Sequence, residues 1–494
     1  MFERITPEAA GISSDNIRKF ISILERRGAA THGILMMRHG KILTEHYWAP
    51  FHKDFLHRMY SQTKSFVAIA IGLLEQEGKL SIKDKIADHF PEKTERELPK
   101  YLAEQTIEQM LTMTTCGASK NWFKAGNPDR VNLYMNTMSA ERPAGTIWEY
   151  DSAGSQVMSA LAEKLSGMPL LDYLKSRLFN KIGTFRTANM LKTPNGDSWG
   201  DSAMLCTCRD IASFGQLCMN LGKWEGEQLV NEDYMRRAIS RRVDNNENAH
   251  GGVFQHGYGY QIWRTEQNGF AFVGMGHQFT VCLPDRDFIF VITSDNQGER
   301  SLVLREIMIS ALFDIIVDNM QDTPLEEDPE AVARLAEATK DLKLRAVSGM
   351  EDSPFRDQLS GKTYACEPNP MGITEFKFVF NSKDSGELIY KNAQGEKTLP
   401  FGVNHNAFGK FPELGYSNDR GGMRSEGGFT YDDAVSLAWV EEKKLMLFVQ
   451  IIDRYFGNMG AIFSFKGDEA VASFTKCAED FLDTYQGRLL ARLK

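Results

Sequence analysis

The chain reads as an α+β protein. One antiparallel sheet is assembled from strands near both ends of the first 320 residues and flanked by helices, with a helical lobe inserted between them. A mostly β region follows. Three observations predict this. A strand–turn–strand pattern occupies residues 32–48, and four more strand-like runs crowd residues 258–293. The stretch between them carries helical periodicity. Beyond residue 357, apolar and polar residues alternate over short spans.

The first hairpin is HGILMM (32–37) and KILTEHYW (41–48), joined through Arg38, His39, Gly40 and Lys41. A helix is expected from Ser61 to Gly78. Phe66, Ile69, Ala70, Leu73 and Leu74 mark one face, while Val67 and Ile71 fill the other, so it should be buried nearly all round. Thr106 with Gln109, and Thr207 with Asp210, have the spacing of capping boxes at two helix starts. Residues 153–166 are helical in pattern. Strands return as YGYQIW (258–263), FAFVGM (270–275), QFTVCL (278–283) and FIFVIT (288–293), and an amphipathic helix over 302–318 closes the region. Residues 321–356 are charged and helix-prone, as in a linker. In the region 357–494, Phe376, Phe378 and Phe380 alternate as a half-buried strand requires. VSLAWV (435–440) and LMLFVQII (445–452) read as a hairpin, and a last helix is expected over 468–485. The expected domains are therefore 1–320, a linker 321–356, and 357–494.

Composition narrows the function classes. Lys and Arg number 57 against 66 Asp and Glu, a net charge of −9 that does not suit a nucleic-acid or anionic-membrane partner. The longest apolar run, Phe66 to Leu74, is about half of what a membrane span needs. The seven cysteines are scattered without a C-x-x-C pair, which favours reduced thiols over disulfides or structural zinc. No secretory signal pattern opens the sequence. The expectation is a soluble, cytoplasmic protein of unknown oligomeric state.

The chemistry centres on Ser61-Gln62-Thr63-Lys64. Three residues are nearly one helical turn, so Ser61 and Lys64 share a face. A serine hydroxyl is a weak nucleophile that needs an adjacent base, and a lysine against apolar walls can lose its proton near neutral pH. A capping serine followed by a solvated lysine would give the same four letters. Tyr150 lies just before a helix, with Ser152 two positions on; a tyrosine among cations can shuttle protons, and a core aromatic with a capping serine is the bland alternative. Asp151 reads as a solvated charge at the helix start. Gly274-Met275-Gly276-His277-Gln278 puts glycines inside a strand, a mark of close backbone approach or of a bulge. Trp122, Phe123, Tyr258 and Tyr260 could wall an apolar pocket or pack the core.

These three motifs, in this order and spacing, resemble the serine β-lactamase-like family: class C β-lactamases, DD-peptidases, carboxylesterases and 6-aminohexanoate-dimer hydrolases. Ser61 and Lys64 match its S-x-x-K. Tyr150 to Ser152 match its Y-x-N, and Gly274 to Gln278 match the G-x-G-G-Q strand of its esterase and amidase branches. The resemblance covers residues 5–318, and the C-terminal region loosely resembles the lipocalin-like domain appended to some members. It implies attack by Ser61, proton transfer by Lys64 and Tyr150, and an oxyanion held by the N–H groups of Ser61 and Gln278. Ser152, Gly276, His277, Gln278 and Trp122 fall at the substrate and oxyanion positions. Three departures stand out: Ser152 replaces an asparagine, His277 a glycine, and no lysine occupies the third motif. The resemblance implies a serine hydrolase of small-molecule esters or amides that works without metal or cofactor, ranked above a D-amino-acid peptidase and a weak β-lactamase. An acyltransferase and a non-catalytic ligand-binding member of the fold are the alternatives.

Overall fold

The computed structural model of the protein describes residues 2–117, 127–246, 252–298, 301–417, 420–421, 430–478 and 485–494. The chain divides into two compact units. One comprises Met1–Asn296, Arg300–Lys343 and Asp419–Gly421; the other comprises Gln297–Glu299, Leu344–Asn418 and Gly422–Lys494.

The first unit is built on a six-stranded antiparallel sheet. Its strands are β1 (Thr31–Arg38), β2 (Lys41–Tyr47), β3 (Trp263–Arg264), β4 (Phe270–Gly274), β5 (Gln278–Leu283) and β6 (Phe288–Ser294). They lie in the order β2-β1-β6-β5-β4-β3. β1 therefore pairs with β2 on one side, Ile34 opposite His46, and with β6 on the other, Ile34 opposite Ile292. Alternation sorts the apolar side chains. Ile34, Met36, Phe290 and Ile292 join a core with α1 (Ser14–Arg27) and a late helix, while Leu35, Met37, Ile289 and Val291 join the core of the helical lobe. Both faces of the sheet are thus covered, which explains why every residue of β1 is buried.

The lobe holds α2 (Thr63–Gln76), α3 (Arg130–Thr137), α4 (Ser152–Ser166) and α5 (Cys208–Met219). Residues 63–74 of α2 are all buried, as their apolar make-up requires. Both expected capping boxes form, Thr106 with Gln109 and Thr207 with Asp210. α6 (Ser301–Ala311) continues through a wider turn to Val317.

The second unit is a ten-stranded sheet of β7 (Thr363–Cys366), β8 (Glu375–Phe380), β9 (Ser385–Asn392), β10 (Gly395–Val403), β11 (Ala407–Lys410), β12 (Asp432–Glu441), β13 (Lys444–Ile452), β14 (Phe456–Lys466), β15 (Glu469–Ala478) and β16 (Gly487–Leu493). A parallel pairing of β10 with β12 closes nine of these strands into a barrel.

Two expectations are corrected. Residues 469–478 form a strand, not the start of a helix: Ala470, Ala472 and Phe474 turn inward at period two along β14. Their small and helix-compatible residues hid that alternation, and pairing with eleven-residue β14 decided it. YGYQIW is strand only at its end. Gln261 takes a left-handed conformation, φ 54°, and its N–H donates to Leu111 O, so the chain folds back instead of extending.

Candidate active site

Ser61 sits where the sheet, a short strand pair and α2 meet. His57–Arg58 pairs antiparallel with Leu205–Cys206, and Met59 N–H donates to Met204 O at 2.8 Å. The chain then turns sharply: Tyr60 has φ 47°, and one tight turn, Tyr60–Gln62, leads into α2. The start of α2 is tied down on three sides. Thr280 Oγ1 donates to Gln62 Oε1, Ser65 Oγ donates to Gln261 O, and Met204 N–H donates to Thr63 Oγ1.

Lys64 is 1% exposed. Its Nζ lies 2.9 Å from Ser61 Oγ and 2.6 Å from the carbonyl oxygen of Asp201, and donates to both. It also lies 3.8 Å from Asp201 Oδ2 and 5.1 Å from the ring centre of Tyr150. The lysine wall is therefore not purely apolar: a buried carboxylate faces it. The Tyr150 ring stacks on Trp263, centres 5.8 Å apart. Ser61, Lys64 and Tyr150 are thus brought together from positions up to 89 residues apart in sequence.

Ser152 is half-buried and opens α4, but the helix cap is Asp151, which accepts from Gly154 N–H at 3.0 Å. Asp151 is buried rather than solvated, correcting the expectation. Burial pushes its carboxyl up to about 6, against the hydrogen bonds that favour its ionised form.

The third motif is a hairpin turn, Met275 to His277, between β4 and β5. Gly274 is glycine because a Cβ there would stand 2.3 Å from Met59 O. The close approach that the sequence signals is therefore to the backbone just ahead of Ser61. The Gln278 side chain turns inward: Nε2 donates to Met275 O and Ser294 O, and Oε1 accepts from Ser294 N–H. Gly276, φ 76°, gives its carbonyl to Ser294 Oγ at 2.6 Å. His277 stacks on Phe279 and pairs with Ser301 Oγ at 3.1 Å. Burial, reinforced by Arg305, pushes its imidazole down to about 3, so the ring is neutral. It is not paired with Ser61, Lys64 or Tyr150. Trp122 and Phe123 lie outside the described residues. Tyr258 and Tyr260 are fully buried.

Sequence reasoning missed the surroundings of Asp201, which is 4% exposed. Arg58, wholly buried, donates from Nε to Ser202 O at 2.9 Å and from Nη2 to Ser202 Oγ at 3.2 Å. Its guanidinium covers the rings of Tyr60 and Trp199 at 4.4 and 4.6 Å, and Arg130 covers Trp199 at 5.2 Å. Gly421 abuts the same indole: a Cβ there would lie 1.8 Å from the ring. Only the spacing of Ser61 and Lys64 is local enough to read from one segment. Asp201 lies 137 residues beyond Lys64.

Residues 16–311, more than half of the chain, match the sequence pattern of the β-lactamase family. The chain belongs to the β-lactamase family. The 6-aminohexanoate-dimer hydrolase of Paenarthrobacter ureafaciens is 22% identical over 308 residues, 58% of this chain and 78% of that protein. Penicillin-binding protein 4* of Bacillus subtilis (strain 168) is 28% identical over 149 residues, 28% of this chain and 31% of its own length. A solved Bacillus anthracis structure named as a 6-aminohexanoate-dimer hydrolase matches with a TM-score of 0.53 at 17% identity, over 64% of this chain and 87% of its own. That likeness shows the fold. Among the described residues of this β-lactamase-family hydrolase, no group of three His, Cys, Asp or Glu is arranged to hold a metal ion. No described helix is long and apolar enough to cross a membrane.

Proposed function

We propose that the chain is a serine hydrolase that cleaves a small ester or amide through an acyl-Ser61 intermediate. The observation that carries this reading is the 2.9 Å approach of the buried Lys64 Nζ to the half-buried Ser61 Oγ, beside Tyr150. Ser61 Oγ attacks the carbonyl carbon. Lys64 and Tyr150 take its proton and pass it to the leaving group. The N–H groups of Ser61 and Gln278 hold the oxyanion, and water, activated by the same pair, releases the acid. The first 320 residues carry the reaction.

No lysine stands in the third motif; Met275, 45% exposed, or Gly274 falls where β-lactamases place one. Neither offers a substrate carboxylate a charge partner, which supports an uncharged acyl group over a β-lactam. The names of the dimer-hydrolase relatives support keeping small amides beside esters in the substrate class. The test is intact mass after incubation with a fluorophosphonate, with Ser61→Ala as control. One adduct, lost in the variant, is expected; a well-folded protein without an adduct would sink the reading.

A further inference from the structure

Several buried charged side chains gather near Ser61: Lys64, Arg58, Arg130 and Asp201. Lys64, Arg58 and Arg130 all act on the Asp201 carboxylate. Among the described residues, only Lys64 lies within ion-pair distance of it, Nζ to Oδ2 3.8 Å. Arg58 donates to Ser202 through Nε and Nη2. The same residue therefore touches Lys64 twice, through its carbonyl at 2.6 Å and through its carboxylate. A backbone carbonyl alone would fix the position of the nitrogen. The carboxylate adds a full charge, in a place from which water is largely excluded.

We infer that Asp201 is a positioning residue for Lys64: its carbonyl aims Nζ at Ser61 Oγ, and its carboxylate balances the charge that Lys64 gains with the serine proton. The inference rests on the hydrolase reading above. As the bond from Ser61 Oγ to the carbonyl carbon forms, the hydroxyl proton moves to Nζ and the carbonyl electron pair moves to oxygen. The ammonium so formed faces Asp201. When the bond to the leaving group breaks, that proton departs with it, by way of Tyr150, and the pair returns to its starting charge. The groups facing this exchange are Ser61 on the tight turn, Tyr150 ahead of α4, Arg58 on the short strand and Arg130 on α3. Burial favours the neutral carboxyl of Asp201, and the three cations oppose it.

The test is the rate at which a fluorophosphonate labels Ser61 in the full-length chain, followed between about pH 5 and 9 in wild type and Asp201→Asn. Loss of an opposite charge this close moves a titration by at least about one pH unit. The acid limb of the labelling profile is therefore expected to move down by about one unit, with a plateau roughly tenfold lower because the acceptor is a weaker base. A purely structural role would lower the plateau and leave the limb in place, and that result overturns the inference. So does a limb that moves up, or a folded variant that labels at no pH. Should Asp201→Asn not melt cooperatively, Asp201→Ser reads the same limb; if neither folds, the carboxylate is a folding requirement and the inference is wrong. Wild type that is never labelled at Ser61 would instead remove the hydrolase reading itself, an outcome distinct from all of these.

Discussion

Asp201 presents its carbonyl oxygen to Lys64 Nζ at 2.6 Å, and the same nitrogen reaches Ser61 Oγ at 2.9 Å. The lysine is therefore held by two hydrogen bonds, which restrict its freedom to swing away. Replacing it with a shape-matched neutral chain isolates its chemistry. Lys64→Met is expected to slow fluorophosphonate labelling of Ser61 by about 10²–10⁴-fold while thermal melting stays cooperative. Labelling within threefold or so of wild type would remove lysine as the proton acceptor.

Gly274 lies against the carbonyl of Met59, two residues before Ser61. An alanine there puts Cβ 2.3 Å from that oxygen, a backbone atom that can move only with its chain, and 3.1 Å from the Gln278 side chain. Gly274→Ala is expected to lose about 1–3 kcal/mol of stability in urea unfolding and to slow labelling as well. Unchanged stability would show that β4 can shift freely from the turn that carries Ser61.

Three backbone groups depend on the buried amide of Gln278: the carbonyls of Met275 and Ser294, and the Ser294 N–H. Truncation to alanine strands all three. About 2–4 kcal/mol of destabilisation is expected for Gln278→Ala, more than for an exposed glutamine of the same unit. A change below roughly 0.5 kcal/mol would mean that water replaces the amide.

Asp151 should make the protein less stable as pH rises. Its folded value, about 6, lies above its ordinary value of 3.8, so the folded state holds more protons than the unfolded chain between those limits. Stability then falls as pH climbs through that window. Asp151→Asn keeps an oxygen for the Gly154 N–H and removes the titration. The variant should gain on wild type from about pH 4 to 6, by up to roughly 3 kcal/mol, in urea unfolding at a series of pH values. A gap between the two proteins that does not widen over this range contradicts the assignment.

His277 works in the opposite sense. Its imidazole is pushed down to about 3 from 6.5, so the unfolded chain binds more protons in between, and stability is lost as pH falls from 6.5 toward 3. Asn tolerates the left-handed backbone of this position, φ 70°. His277→Asn should flatten the acid loss of melting temperature yet leave Ser61 labelling within about threefold of wild type, since the ring pairs with Ser301. A collapse of labelling in the folded variant would give His277 a role at the site.

What the sequence discloses follows how local each relationship is. Ser61 and Lys64 are one turn apart, and the capping boxes at Thr106 and Thr207 span four residues, so helical geometry alone predicts them. The sheet from both chain ends is legible because β1 and β6 are dense in apolar residues on both faces. Asp201 is not legible, because its meaning arises only when a distant turn brings it to Lys64. Asp151 looked solvated because its neighbours in sequence are polar, whereas burial comes from packing. The inward turn of His277 depends on a left-handed backbone that no local pattern around it specifies.

The pairing of Thr31–Arg38 with Phe288–Ser294 has a consequence for biosynthesis. A ribosome that has released the first 260 residues has delivered Ser61, Lys64, Tyr150 and Asp201, but not the strand that forms the centre of the sheet, nor the Thr280 hydroxyl that grips Gln62. Ser61 thus lacks two of the three ties at the start of α2, those from Gln261 and Thr280, until translation is well past it. Any reactivity of Ser61 should therefore arise late, once the last central strand pairs with the first.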